Sequence, residues 1–578
     1  MIRRRTPALI AILLFATLSG QLYFSGSSNL RYGESKTGQL YSESILNGNA
    51  LLGNFNSWFQ LEFSNPPELG RTVNGLQKFR LEYNTANSVF KFGDIYEIWG
   101  RGLVLNQYED QLVDFDNSLT GISIRNQWNE SLDWSIISGY RERHRLFGAD
   151  ANYTLKSLSV GISYLQSREQ HLFEKFVPST GYVLDSLMVT HRVKDLRTEY
   201  FADWYDIYVE YADKRTYDFN TDSIRSFYNG GGQGFYSNLN IYIGAWALSM
   251  DYKKYSFNIS EPDPFSVADN YSGIFSFQRP PTVIREHTSR LLNRITHQVN
   301  FDDEVGYQIE LSGPVLSDIM VLANYSKTSR NDVWNKIEVP NDTTNIYFHW
   351  EWQSVESTGL LPLTETYSVP FEELYLEVEG FSFNDRLHYR IGAARTIEVI
   401  DIFDHRITDT TRNIMYEEAG AITFPTALDW NINKRWNFEV KYEYQEFKKY
   451  KRIINTQTGI DTKESLFATP VQYNAFLSLG VSHSPGWSCA LLIDASSRLE
   501  FGTTPQLDNI NTLEKIVSNF IDLENRWIAL ELRWNITNSH TLTLTYGSQQ
   551  GGILCSNGVC REIEAFEDGF KFTLTSLF

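Results

Sequence analysis

From Trp436 to Gln445 the chain alternates without a break: Trp436, Phe438, Val440, Tyr442 and Tyr444 interleave with Asn437, Glu439, Lys441, Glu443 and Gln445. Successive side chains of a strand point to opposite faces, so a period of two writes one apolar and one polar surface. The pattern recurs at Phe59–Phe63, Ile207–Tyr211, Leu374–Val378, Ile422–Trp430, Tyr473–Val481, Trp487–Ala495, Ile528–Ile536 and Leu542–Tyr546. Each run is about ten residues, the length a tilted strand needs to cross a bilayer. Two all-β architectures write such a pattern: a soluble sandwich, and a closed barrel with lipid outside.

The connections and the tryptophans favour the barrel. Short turns such as Asn431–Arg435, Ser482–Gly486 and Thr537–His540 alternate with much longer stretches. Trp128 and Trp134 flank one short turn, Trp430 and Trp436 another; Trp487 follows a third and Trp534 precedes a fourth. Indole rings prefer the headgroup level, where an apolar body and an N–H donor are both accommodated. These six read as an interfacial aromatic girdle, whereas a sandwich would scatter them through its core. Phe570, Phe572, Leu574 and the terminal Phe578 alternate with polar residues, the form of a barrel-assembly signal at the carboxyl end. A sheet in lipid cannot leave an open edge, so that strand must close on the first. The expectation is a transmembrane antiparallel β-barrel of about 22 strands (roughly 16–24, even) with short periplasmic turns and long extracellular loops.

Composition agrees. With 14 Trp, 33 Tyr and 37 Phe the chain is too aromatic for disorder, and a mean hydropathy of -0.33 is too polar for a bundle of membrane helices. At the amino end, Arg3, Arg4 and Arg5 precede the apolar run Ala8–Leu18, then Ser19 and Gly20, the three-part pattern of a signal peptide over residues 1–20. Residues 21–53 read as a short periplasmic or luminal segment, and residues 54–578 as the barrel. The formal charge of -19 disfavours nucleic acid. The expected surroundings are outer-membrane lipid and lipopolysaccharide, with barrel-assembly machinery during biogenesis.

Beside the last strand lies Tyr546-Gly547-Ser548-Gln549, then Gly551-Gly552, then Cys555-Ser556-Asn557-Gly558-Val559-Cys560-Arg561. Asn-Gly is a strong two-residue hairpin signal. It sets Cys555 opposite Cys560 at a spacing that suits a cross-strand disulfide; two free thiols are the alternative. Pairing carried outward from the cysteines would set Leu574 opposite Thr541, an outward residue against an inward one. One extra residue must therefore be absorbed, at Gly569 or at the Gly551-Gly552 pair, bringing Leu574 opposite Leu542 and Phe572 opposite Leu544.

A second dense stretch is Gly93-Asp94-Ile95-Tyr96-Glu97-Ile98-Trp99-Gly100-Arg101-Gly102-Leu103. Its three glycines permit sharp bends and close backbone approach, so the segment is expected to leave the wall and fold into the lumen. Arg101 would pair there with Asp94, Glu97, Glu109 or Asp110. That cluster is either a charged constriction selecting solutes or an ion-pair network bracing the wall. With these two stretches in view, the chain resembles the outer-membrane barrels of Bacteroidota and related phyla known only as a domain of unknown function. The resemblance implies a compartment and a barrel, and no catalytic residues. Gln550 stands where that family often has a basic residue.

Two segments break the strand period. Leu513, Ile516, Val517, Phe520 and Ile521 have helical spacing behind a capping box of Asn511 and Glu514. After Pro280-Pro281, Ile284, Thr288, Leu291, Leu292 and Ile295 suggest a second helix inside or capping the barrel. It would carry Arg285, Arg290 and Arg294 towards Asp302, Asp303 and Glu304, a solvated loop being the other reading. No His-Glu-x-x-His, Cys-His metal spacing, phosphate loop or nucleophile elbow occurs, so neither an enzyme nor a cofactor or metal is expected. Two functions remain. One is a porin-like passive channel for small cationic or neutral polar solutes. The other is a non-transporting barrel, closed by loops, serving as scaffold or accessory subunit of an envelope assembly.

Overall fold

The computed structural model describes residues 21–36, 38–177, 181–218, 231–257, 277–339, 349–357, 359–401, 413–455, 458–467, 470–497, 525–556 and 559–578. The leader at residues 1–20, the helix expected from Asn511 and the turn at Asn557-Gly558 lie outside them. The architecture is a closed antiparallel barrel of 24 strands, each paired with its neighbour in sequence around the ring. The ring closes where Leu22–Glu34 pairs with Phe566–Leu577, Leu30 facing Leu574 and Tyr32 facing Phe572.

Residues 21–53 are therefore not a segment ahead of the barrel; they are its first two strands, Leu22–Glu34 and Leu40–Leu52. These account for the count of 24 against the expected 22 or so. Their alternation is diluted by Gly26, Ser27, Ser28, Asn29, Asn47, Gly48 and Asn49, and packing makes up for it. A Cβ at Gly26 would collide with the Phe578 ring, and one at Gly48 with the Phe59 ring. Aromatic rings lie across the glycines and restore apolar cover that the strands themselves lack.

The period-two reading of the wall holds residue by residue. Trp436, Phe438 and Tyr442 face outward at 38–47% exposure, and Glu443, next after Tyr442, is 5% exposed on the inside. Leu374 and Leu376 are outward, Glu373 and Tyr375 inward. Such a band of exposed apolar side chains is stable only against lipid. At one rim the connections are two to four residues, as at Gly53–Asn54, Lys156–Ser157, Phe383–Arg386 and Ser484–Gly486. The other rim carries the long ones, among them residues 96–118, 257–302 and 330–370.

The register next to the carboxyl end is the expected one, Leu542 opposite Leu574 and Leu544 opposite Phe572. The extra residue sits one step before Gly569. Gly547 pairs with Gly569 but Gln549 with Phe566, and Asp568 takes a left-handed φ of 45°. Beyond it the offset matches that of Cys555 opposite Cys560 in the hairpin Gly552–Ser556 and Val559–Ile563.

Candidate functional site in the barrel lumen

Two of the long connections turn inward and fill part of the ring. The first, residues 96–118, links the adjacent strands Ser88–Ile95 and Leu119–Gln127. The glycine-rich motif is its point of departure. Gly93, at φ 110°, still pairs with Gly121, and it is there that the strand parts from its other neighbour, Asn74–Asn84. Asp94 binds back to the wall, taking the Phe79 N–H at 2.7 Å and the Thr120 hydroxyl at 3.0 Å. Glu97 accepts from Lys91 at 2.8 Å and Ser123 at 2.9 Å. The Trp99 indole, 2% exposed, donates to Ser135 at 2.9 Å.

Gly100 and Gly102 both take positive φ. The turn they form points the Arg101 N–H at Glu210, 2.7 Å away. An added Cβ at Gly100 would lie 2.7 Å from both carboxylate oxygens of that residue, so the approach requires glycine. The Arg101 guanidinium stacks on the Tyr208 ring, 5.0 Å from its centroid. The expected trio does not converge. Asp94 and Glu97 are both held by the neighbouring strand Leu119–Gln127, through Thr120 and Ser123, whereas Arg101 is carried past the glycine turn to Glu210 and Tyr208.

Behind these anchors Trp99, Leu103, Val104 and Leu105 pack with inward-facing Ile137, Leu146, Leu165, Val193, Tyr236 and Tyr255 into one apolar core. A polar lumen surface thus gives way, over this arc of strands, to a dry interior. At roughly 1.5–3 kcal/mol per buried large apolar side chain, that core holds the insert more strongly than its hydrogen bonds do.

The second insert, residues 277–302, is knitted to the first. Asn106 donates its amide N–H to the Phe277 carbonyl at 2.8 Å, and its side chain to the Arg279 carbonyl at 3.0 Å. Gln278 donates to the Leu103 carbonyl at 2.7 Å. The helix expected here is absent; the chain runs irregularly, with a single 3₁₀ turn at Leu292–Arg294. The N–H groups of Arg290 and Leu291 go to Glu443, at 3.0 and 2.7 Å, instead of to helical carbonyls. The arginines do not seek Asp302, Asp303 and Glu304. Arg285 pairs with Glu310, while Arg290 and Arg294 share Asp494.

His287 meets Glu373 at 2.8 Å. His297 lies between Glu398 and Glu304, 3.1 Å from each. Burial alone would lower the His297 pKa, but the two carboxylates outweigh it and carry it up to about 9. Glu304 also holds Lys253 at 2.6 Å. Glu304 belongs to the acidic cluster noted in the sequence, though it meets His297 rather than an arginine; no sequence signal identified the other partners, which lie up to 200 positions from the insert.

Between the first strands, the last strand and the tip of the first insert remains a cavity of about 840 Å³. Glu43, Glu62, Glu68, Asp110 and Asp114 line it, against Arg31, Lys78 and Lys571. Burial pushes the Asp114 carboxyl above its ordinary value. Arg561, from the cysteine hairpin, donates to the Val113 carbonyl at 2.9 Å and the Asp114 carbonyl at 3.0 Å, tying that hairpin to the insert.

The tryptophans of the expected girdle all lie at the short-turn rim. Trp487 is directly opposite Trp534, and Trp436 packs edge-on to Trp487 at 5.7 Å. Trp128 and Trp430 are more than half exposed, and Trp134 pairs with Asn126 beside the turn. Trp204 and Trp246 belong to the same rim. The Phe578 backbone exchanges two hydrogen bonds with Gly26, at 2.8 and 3.0 Å, and its ring stacks on Phe24. Phe570 faces outward, and Phe572 stacks on Tyr32 at 5.9 Å.

A family model described as a family of unknown function (DUF6029) matches residues 20–327. The chain belongs to that family. The matched region holds the first insert and nearly all the wall that surrounds it. No curated protein matches the chain. Among solved structures, the siderophore receptor PirA from Pseudomonas aeruginosa aligns at 9% identity and TM-score 0.43, over 97% of this chain and 81% of that one. The copper transporter OprC aligns at 10% identity and TM-score 0.42, over 97% and 81%. The outer membrane protein OmpT from Vibrio cholerae aligns at 10% identity and TM-score 0.25, over 80% and 99%. No functional reading is drawn from these likenesses.

Proposed function

We propose that this is a bacterial outer-membrane barrel held shut by its own inserts, acting as a scaffold or accessory subunit of a cell-envelope assembly. The observation that carries the reading is the apolar core inside the ring, built around Trp99, Leu103, Leu105 and Phe277. A water-filled channel has no use for a dry core, and opening one there would expose it at a cost of several kcal/mol. The short-turn rim then faces the periplasm with its tryptophan girdle, and the long connections face outward. The carboxyl-terminal strand ending in Phe578 is the signal read by the barrel-assembly machinery, and lipid and lipopolysaccharide surround the wall. In the oxidising envelope Cys555 and Cys560 form a disulfide.

The acidic cavity of about 840 Å³ favours a second reading, a porin-like passive channel for small cationic or neutral polar solutes through the sector the inserts leave open. Planar-bilayer recording with purified protein separates the two. A silent bilayer is the expected result, and discrete cation-selective steps would replace the scaffold reading with the channel. Affinity capture from native membranes then identifies an assembly partner.

A further inference from the structure

The inner loop from Arg285 to Arg294 is bound by the wall in the way a peptide is bound by a receptor. Glu443 receives two of its backbone N–H groups and the Ser289 hydroxyl, the latter at 2.7 Å. Two residues along the same strand, Gln445 donates its side-chain amide to the Leu291 carbonyl at 2.9 Å. One strand therefore reads two donors and an acceptor of the main chain where it turns into the 3₁₀ segment Leu292–Arg294, backbone recognition of the kind that gives peptide sites their affinity. Guanidinium groups supply the rest. Arg294 and Arg290 reach Asp494 at 2.5 and 3.2 Å, and Arg290 stacks over Phe476, 5.2 Å from the ring centroid.

The loop does not exhaust the site. Asp494 is 3% exposed, yet its second carboxylate oxygen has no hydrogen-bond partner. An unfilled cavity of about 320 Å³ adjoins the loop, walled by Tyr375, Glu377, Arg390 and Lys441. The loop is not part of the ring's own pairing: Ile284 and Ile295, at its two ends, line one small cavity of about 70 Å³, and the connection begins and ends at paired residues Ser256 and Asp303.

We propose that the lumen surface formed by Glu443, Gln445, Phe476 and Asp494 is a binding site for an arginine-bearing polypeptide segment that makes a tight turn, which the Arg285–Arg294 loop occupies in the closed barrel as an internal competitor. Buried carboxylates are costly unless paired, so the site in use demands a cationic occupant, and a chain-like one because its central contacts are to backbone. The proposal rests on the closed-barrel reading, and extends it by naming what displaces the closure.

The test replaces residues 285–294 with two glycines and records in planar bilayers beside the intact protein. A silent intact barrel and a shortened barrel with cation-selective steps are expected. The synthetic peptide Ile284–Ile295 should then block those steps at micromolar concentration, and an acidic peptide of equal length should not. Asp494→Asn in the shortened chain should weaken the block at least tenfold. A shortened barrel that folds but stays silent, or conducts without peptide block, overturns the proposal and leaves the closed-barrel reading standing. Conductance by the intact protein instead removes the closed-barrel reading. Should the shortened chain fail to fold, full-length Arg290→Gln/Arg294→Gln is tested for saturable binding of the same fluorescently labelled peptide. Gain of binding over the intact protein supports the site, and its absence overturns it.

Discussion

Trp99 differs from the rim tryptophans in being inside. It is 2% exposed, pinned to Ser135, and its ring edge packs over Gly148. Trp99→Ala removes a large buried side chain and should cost about 3–5 kcal/mol, whereas Trp99→Phe keeps most packing and loses about 1 kcal/mol with the hydrogen bond. Denaturant unfolding in detergent micelles measures both. At the cysteines, the register is the readable quantity: Cys555 opposite Cys560, with Cys489 held apart between Val481 and Leu532. Alkylation of the denatured, non-reduced protein should label Cys489 alone, and all three residues after reduction. The glycine motif shows where reading by residue ends. That Gly93 to Gly102 leaves the wall follows from its glycines, but the destination of Arg101 does not, since Glu210 is more than a hundred positions away.

Among the elements, the last strand was the most legible. Matching an outward face to an outward face fixes its pairing to Leu542 and Leu544 and requires one surplus residue. The position of the surplus was missed by a residue because Asp568, not Gly569, takes the left-handed turn; aspartate tolerates it. Deleting Asp568 removes the surplus, so the ladder would run unbroken from Cys560 with Leu574 still opposite Leu542 and the outer face unchanged. The expected outcome is that the heat-modifiable folded band in gel electrophoresis is kept. The opening strands were illegible for the opposite reason, their alternation being carried by rings on neighbouring strands. The second insert misled because its apolar spacing is helical while its polar groups are claimed by the wall. His297 provides a titration of that claim. Its folded-state pKa of about 9 lies above the ordinary histidine value. The stabilisation is fully present below about pH 6.5 and is lost as pH rises through about 9. Protection from hydrogen exchange at residues 296–300, taken relative to the intrinsic rate at each pH, should therefore fall between pH 7 and 10, and His297→Gln should flatten that profile.

For the whole molecule, alternation, girdle and terminal strand were enough to reach a closed ring in lipid. They could not say what fills it, because interior contacts join residues that share no local pattern. The outer face predicts that the purified protein stays dispersed only in detergent or bilayer. Precipitation once detergent is removed, with a β-type circular dichroism spectrum before removal, is the expected behaviour. The filled interior also predicts greater resistance to proteolysis within residues 96–118 than in the exposed stretch 359–365, read by mass mapping of a limited digest.

The pairing of Gly26 with Phe578 has a consequence in time. It joins the two most distant parts of the sheet, a contact that can form only after everything between has been delivered. The final seam should therefore be where an arrested assembly intermediate stalls.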